Sequence, residues 1–235
     1  IHNVAINVDG EPLVSSTARV DLASYPNGLI TDALDIYDEE RRVYALETSR
    51  GCPWGRCTFC SVGKQFEESN GAVKNNGGWR SFPVDMVLKN MQTLVDQGVR
   101  HFDFKDSEFF GPIKPANGYD PFYHTMSRAK AIINGIQKIN EKLELEEGDK
   151  IQIGHLSARV ETVYKRGEAE KNEVRREVYS MLKKAGFLGV YLGIESGSRT
   201  QLQRFGKGVT VEENEKAIDV LREFDFEVEV GFIYF

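Results

Sequence analysis

The chain has 235 residues, 40% of them hydrophobic and 28% charged, with a net charge of −6. That balance suits a soluble globular protein and excludes a disordered or collagen-like chain. No apolar run reaches the roughly 18 residues of a membrane span, and an acidic total gives no support to a nucleic-acid or membrane surface.

The length predicts one large domain, or one domain with a short extension. Residues 1–42 read as an N-terminal extension or linker. Within them Asn3 to Val14 fit a hairpin around Asp9-Gly10, and Tyr25 to Gly28 read as a turn before an acidic connector. Residues 43–235 read as the core. Val43 to Thr48 form a strand, followed at once by a cysteine loop. Val84, Val87, Leu88, Met91, Leu94 and Val95 fall at helical spacing over 84–98, with Gly98 as the stop. Val99 to Phe104 form the next strand, and Gly111 to Asp120 a loop. A helix is predicted from about Pro121 to Leu143, an acidic turn over 144–149, and a strand over 150–160. Val174, Val178, Met181 and Leu182 share a face of a helix over 173–185, and Gly189 to Ile194 form a strand. Thr210 with Glu213 makes a capping box for a helix over 211–224.

The last stretch, Glu227 to Phe235, is rich in strand formers and has no turn after it. The chain opens on Ile1, without a basic-then-apolar leader. Both ends suggest a piece of a longer protein that stops after a fifth strand. Five strands alternating with helices predict a parallel sheet with right-handed crossovers. The class is therefore α/β, either a full or partial barrel or an open doubly wound sheet. In both, sites form at the carboxyl ends of the strands.

The loop after the first strand reads Ser49-Arg-Gly-Cys52-Pro-Trp-Gly-Arg-Cys57-Thr-Phe-Cys60. Three cysteines within nine residues are an odd, clustered set. A secreted disulfide scaffold would spread an even number along the chain, so a reducing, cytoplasmic setting is expected. Three thiolates on one loop suit a soft metal centre. A closed zinc site wants a fourth ligand, and none of the four histidines has finger spacing. A cubane iron–sulfur cluster held by three thiolates leaves its fourth iron open.

These residues resemble the radical S-adenosylmethionine (SAM) superfamily. Its usual loop is Cys-x3-Cys-x-aromatic-Cys, whereas this chain has Cys-x4-Cys-x-Phe-Cys. Gly55 is expected to absorb the extra residue in a tight turn. The resemblance implies a partial (β/α)6-type TIM barrel. It also implies a 4Fe–4S cluster on Cys52, Cys57 and Cys60, shielded by Phe59 and Trp54.

Further segments are similar to the family. Asp106-Ser107-Glu108 ends the second strand, where the family holds the amino group of SAM. Ser157 and Arg159 end the third, with Ser157 expected on a ribose hydroxyl and Arg159 on the SAM carboxylate. Gly193-Ile-Glu195-Ser196-Gly resembles a motif of the cobalamin-linked branch, with Glu195 expected on the ribose or the amine. Arg204 and Lys207 read as solvated charges on a turn the family shares. Ile233 lies on a strand whose backbone reads adenine in the family.

The resemblance implies reductive cleavage of SAM, with hydrogen abstraction from a substrate that is a small molecule, a peptide or an RNA. A flavodoxin or ferredoxin would supply the electron, and no membrane partner is expected. Methyl transfer is one outcome, but cobalamin would need a domain that these residues do not provide. The alternative from another class is a non-catalytic module stapled by zinc or iron–sulfur.

Overall fold

The computed structural model describes residues 5–8, 11–14, 21–24, 43–65, 78–142 and 149–234. Strands β1 (Ala5–Val8) and β2 (Glu11–Val14) pair antiparallel, with Ala5 opposite Val14 and Val8 opposite Glu11. The Asp9-Gly10 turn, the Tyr25–Gly28 turn, the connector up to Arg42 and residues 144–148 of the acidic turn lie outside the described residues.

The core sheet begins with β3 (Val43–Leu46). A small antiparallel ladder follows, joining β4 (Ser49–Arg50) to β5 (Arg80–Ser81), with the short helix α1 (Val62–Gln65) between them. Then come α2 (Val84–Asp96), β6 (His101–Phe104), α3 (Phe122–Lys142) and β7 (Gln152–Ala158). The chain continues through α4 (Val160–Val163), α5 (Ala169–Lys184), β8 (Phe187–Glu195), α6 (Arg199–Arg204), α7 (Val211–Glu223) and β9 (Glu227–Phe232).

Five strands form one sheet in the order β3-β6-β7-β8-β9, and every pair is parallel. Each strand neighbours the next in the chain. A doubly wound sheet reverses its order at a switch point, so this order selects the barrel-type alternative of the two the sequence left open. It also brings all five carboxyl ends to one rim.

The core lies between sheet and helices. Phe102, Phe104 and Phe187 from the strands are buried against Val87, Met91, Leu94 and Val95 of α2 and Ile132, Ile133 and Ile136 of α3. The capping box on α7 is present, with the Thr210 side chain accepting from the Glu213 N–H and the Glu213 side chain from the Thr210 N–H. One helix boundary differs from the pattern by more than two residues, and the short helices α1, α4 and α6 were not expected. Helix α5 starts at Ala169, because its first turns carry a buried polar anchor instead of apolar residues. There Arg175 donates to Glu168 at 2.6 Å and Asn172 at 2.8 Å and stacks on Phe122. Helix α6 is too short to show a hydrophobic period, and its signal is the Ser198 cap.

Candidate functional site

The cysteine loop leaves β3 at the carboxyl rim and is fastened on two sides. Gly55, the proposed hinge for the extra residue, has φ of 59°, in the left-handed region that glycine enters freely. The Cys60 N–H donates to the Cys57 carbonyl at 3.2 Å, closing the end of the loop. All three cysteines are free and partly exposed.

One side is the turn after α6. The Trp54 indole donates to the Gly206 carbonyl at 2.7 Å. Thr58 donates from its backbone to Phe205 and from its hydroxyl to Arg204, each at 3.0 Å. Phe59 meets Phe205 edge-on at 5.1 Å and remains 44% exposed. The approach is so close that a Cβ on Gly208, whose φ is 72°, would stand 2.5 Å from the Trp54 ring.

The other side is the loop's root. Asp106, buried at the end of β6, accepts from the Thr48 N–H at 2.8 Å, from the Ser49 N–H, and from the Ser49 hydroxyl at 2.8 Å. Arg128 of α3 reaches the same point, donating to the Thr48 carbonyl at 2.7 Å and the Phe109 carbonyl at 2.8 Å. Burial pushes the Asp106 carboxyl up to about 6, against the pull of Ser49 and Arg128. Glu108 is fully buried and accepts from the Gly111 N–H at 2.7 Å. Burial pushes its carboxyl up to about 8. These two acids were expected to face the SAM ammonium. The structure turns both inward, because they satisfy backbone donors that would otherwise be buried without partners. Ser107, between them, is exposed.

Arg159 follows β7 and is buried. It donates from Nε to Glu161 at 2.8 Å and from Nη2 to the Lys207 carbonyl at 2.8 Å, and its Nη1 lies 3.9 Å from Cys57 Sγ. One edge of the fork expected to take the SAM carboxylate is thus engaged by protein partners. Burial works against the Arg159 charge, but Glu161, Cys52 and Cys57 more than offset it, so the guanidinium stays protonated. Burial pushes the Cys52 thiol up, against the favourable field of Arg159 and the N–H groups of Gly55 and Trp54. Lys114 adds a second cation, its ammonium 3.5 Å above the Trp54 ring.

Lys207 ties this cluster to the next strand end. Its carbonyl receives Arg159 and its ammonium lies 3.3 Å from Glu195 Oε1. It is buried, not solvated as its sequence context suggested. Glu195 itself has φ of 66°, a strained value for a side-chain-bearing residue, beside a register irregularity between β8 and β9. That bulge re-aims the carboxylate toward Lys207. Ser196 is buried and accepts from the Ser198 N–H at 3.1 Å. The Ile233 N–H donates to the Glu195 carbonyl at 3.0 Å, and the Ser157 carbonyl accepts from Phe109 at 3.0 Å.

The structure therefore links Cys57, Arg159 and Glu195 through Lys207, and sets Asp106 and Glu108 beneath the loop. Sequence reasoning took Lys207 for a solvated charge and did not single out Glu161, Arg128 or Trp79, whose indole donates to the Glu108 carbonyl at 2.9 Å. A lysine flanked by Gly206 and Gly208 was the available signal for the first. Arg128 and Trp79 carry none, since their partners lie far away in the chain; Glu161 lies two residues from Arg159. Among the described residues, no three Cys, His, Asp or Glu side chains converge closely enough to share one metal ion. Zinc needs its ligands around a single ion, whereas a cubane takes one thiolate per iron and so spreads them. An all-thiol donor set suits an iron–sulfur cluster, which is held by cysteine thiolates.

A family model described as the Radical SAM superfamily matches residues 46–235. The chain belongs to the radical SAM superfamily. It is 31% identical over 215 residues to 4'-phospho-dehydrooxetanocin synthase of Priestia megaterium, covering 87% of this chain and 25% of that protein. It is 29% identical over 236 residues to the anaerobic magnesium-protoporphyrin IX monomethyl ester cyclase of Cereibacter sphaeroides, covering 96% and 32%. The structure of the cobalamin-dependent S-adenosylmethionine radical enzyme OxsB, with aqua-cobalamin and S-adenosylmethionine bound, matches with a TM-score of 0.78 and 28% identity. That match covers 100% of this chain and 30% of that one. The chain thus spans a quarter to a third of the length of these relatives. Its mixed α/β fold, with a parallel sheet in chain order, is that of the radical SAM partial barrel.

Proposed function

We propose that residues 43–235 are the SAM-cleaving core of a radical enzyme, with residues 1–42 as an extension. Cys52, Cys57 and Cys60 would hold a 4Fe–4S cluster. When bound and reduced, such a cluster supplies the electron that splits SAM into methionine and a 5′-deoxyadenosyl radical, which takes a hydrogen atom from the substrate. The observation that carries the reading is the cysteine loop itself. It is all-thiol, docked at the carboxyl rim between two fastening points, and within the span of the family match.

The chain's own residues bind, orient and exclude water. Asp106, Arg128 and Glu108 fix the root of the loop. Trp54 and Phe59 cover it, with Phe59 half open to solvent. Glu195, aimed by its bulge and paired with Lys207, is the carboxylate best placed to accept from SAM hydroxyl or amine donors. Ser107 and Ser157, on neighbouring strand ends, and the backbone at Ser196 and Ile233 complete the proposed rim.

A one-electron donor such as flavodoxin or ferredoxin is the proposed partner, and the substrate a small molecule, peptide or RNA. Among the described residues no helix is long and apolar enough to cross a membrane. A cytoplasmic setting is proposed from the three free thiols, which suit a reducing compartment. Methyl transfer with cobalamin is proposed only for a protein in which a further domain supplies its pocket.

The test is anaerobic reconstitution with iron and sulfide. The reading expects brown protein with about four irons per chain and SAM-dependent change in the reduced signal. Colourless protein holding one zinc, indifferent to SAM, would favour the non-catalytic module instead.

A further inference from the structure

We propose that Arg159 serves the cluster rather than SAM, and that it makes the cluster easier to reduce. Its guanidinium is locked by Glu161 and the Lys207 carbonyl and presents its remaining edge to the Cys57 thiolate. The inference rests on the reading that the three cysteines hold a cluster, and it assigns to Arg159 a role different from the one the family resemblance implied.

An arginine binds a carboxylate as a fork through two parallel N–H bonds. Here one edge of the fork is taken. Nε donates to Glu161 Oε1 and Nη2 to the Lys207 carbonyl, both at 2.8 Å. Both partners are buried with Arg159, so swinging the guanidinium out to SAM would leave Glu161 buried with only the longer Lys114 contact at 3.9 Å. Nη1 makes neither of these bonds, and it faces Cys57 Sγ at 3.9 Å. At that separation the interaction is mainly electrostatic.

The titratable groups around Arg159 come from several elements. Glu161 of α4 and Glu108, after β6, are acids. Lys114, in the loop before α3, is a cation 3.9 Å from Glu161. Reduction adds one negative charge to a centre already made negative by its thiolates. A fixed cation and an N–H donor at a ligand sulfur favour the reduced state more than the oxidised one, and so raise the potential. Glu161 does two things at once. It orients the guanidinium, and its own charge opposes the gain. Its second oxygen, Oε2, has no hydrogen-bond partner among the described residues, so the pair is not neutralised further on that side.

The opposed signs give the test. Wild-type protein, Arg159→Met, Arg159→Lys and Glu161→Gln are reconstituted anaerobically. Each is titrated with dithionite against mediators, without SAM, and the reduced cluster is followed by electron paramagnetic resonance. Arg159→Met should shift the potential negative by roughly tenfold in the reduction equilibrium, about 59 mV for one electron. Glu161→Gln should shift it positive. Arg159→Lys, which keeps the charge but not the fixed fork, should lie between wild type and Arg159→Met. Melting of each apo-protein separates these effects from misfolding. If Arg159→Met does not fold, the opposite signs of Glu161→Gln and Arg159→Lys carry the same test.

SAM affinity of Arg159→Met, measured by calorimetry, should change by less than about threefold. Potentials that move the same way in the arginine and glutamate variants, or do not move, would overturn the proposal. So would a loss of SAM affinity at unchanged potential, which would return Arg159 to the carboxylate. A wild-type protein that binds no iron would instead defeat the cluster reading on which the proposal rests.

Discussion

Replacing Asp106 with alanine should unfasten the cysteine loop at its root. The substitution removes the acceptor for the Thr48 and Ser49 backbone N–H groups and for both hydroxyls. It also leaves Arg128, itself buried, without the anion nearest the Thr48 carbonyl it grips. Breaking a buried, hydrogen-bonded charge site from one side costs about 3–5 kcal/mol. A domain of this kind has only about 5–15 kcal/mol in total, so about a fifth or more of its stability is at stake. Asp106→Asn keeps an acceptor oxygen and sheds the cost of a buried charge, so it should lose only about 1 kcal/mol. Asp103→Ala is the control. Asp103 sits on the same strand, paired with exposed Lys105 at 2.9 Å, and a pair of that kind contributes at most about 1 kcal/mol. Urea unfolding of the three variants, with iron content after reconstitution, makes the comparison. If Asp106→Ala loses no more than Asp103→Ala and binds iron fully, the clamp is not what holds the loop.

Three other outcomes follow from the same geometry. Glu108 keeps a proton in the native state that the unfolded chain gives up, so stability should fall as pH rises from about 4.5 toward about 8. At no more than about 1.4 kcal/mol per pH unit, Glu108→Gln should abolish about 2 kcal/mol of loss between roughly pH 6 and pH 8 in urea melts; equal slopes would mean that Glu108 is ionised throughout. Gly208→Ala should cost at least about 1–2 kcal/mol for the left-handed backbone alone, and more as the new methyl displaces Trp54; full stability with full iron would show that the turn moves freely. Glu195→Gln should weaken SAM binding about tenfold at unchanged iron content, since a charge-assisted hydrogen bond contributes about 1.5–3 kcal/mol; unchanged calorimetric affinity would confine Glu195 to its pairing with Lys207.

The elements with long apolar faces were legible in the sequence. Helix α2 and the capping box of α7 repeat a pattern that needs no knowledge of the rest of the chain. The cysteine loop and its Gly55 hinge were legible for the same reason, being local. What escaped is non-local. Arg128 reaches Thr48 across 80 residues and Trp54 reaches Gly206 across 152. No spacing rule connects such partners. The acids after β6 show the same limit. Their composition suited an ammonium, but burial turned them toward backbone donors that only the folded chain brings near. Lys207 looked solvated because a glycine-rich turn usually is. Here that turn lies against the cysteine loop, and the lysine is buried with Glu195.

The central claim is that Cys52, Cys57 and Cys60 together support cleavage of SAM. Its most direct test is 5′-deoxyadenosine formed by reconstituted, dithionite-reduced protein, compared with Cys52→Ala, Cys57→Ala and Cys60→Ala prepared alike. The account predicts product from the wild type and none above background from any single variant. Product from a cysteine variant at the wild-type rate, or no product from wild-type protein carrying its full iron, would contradict it.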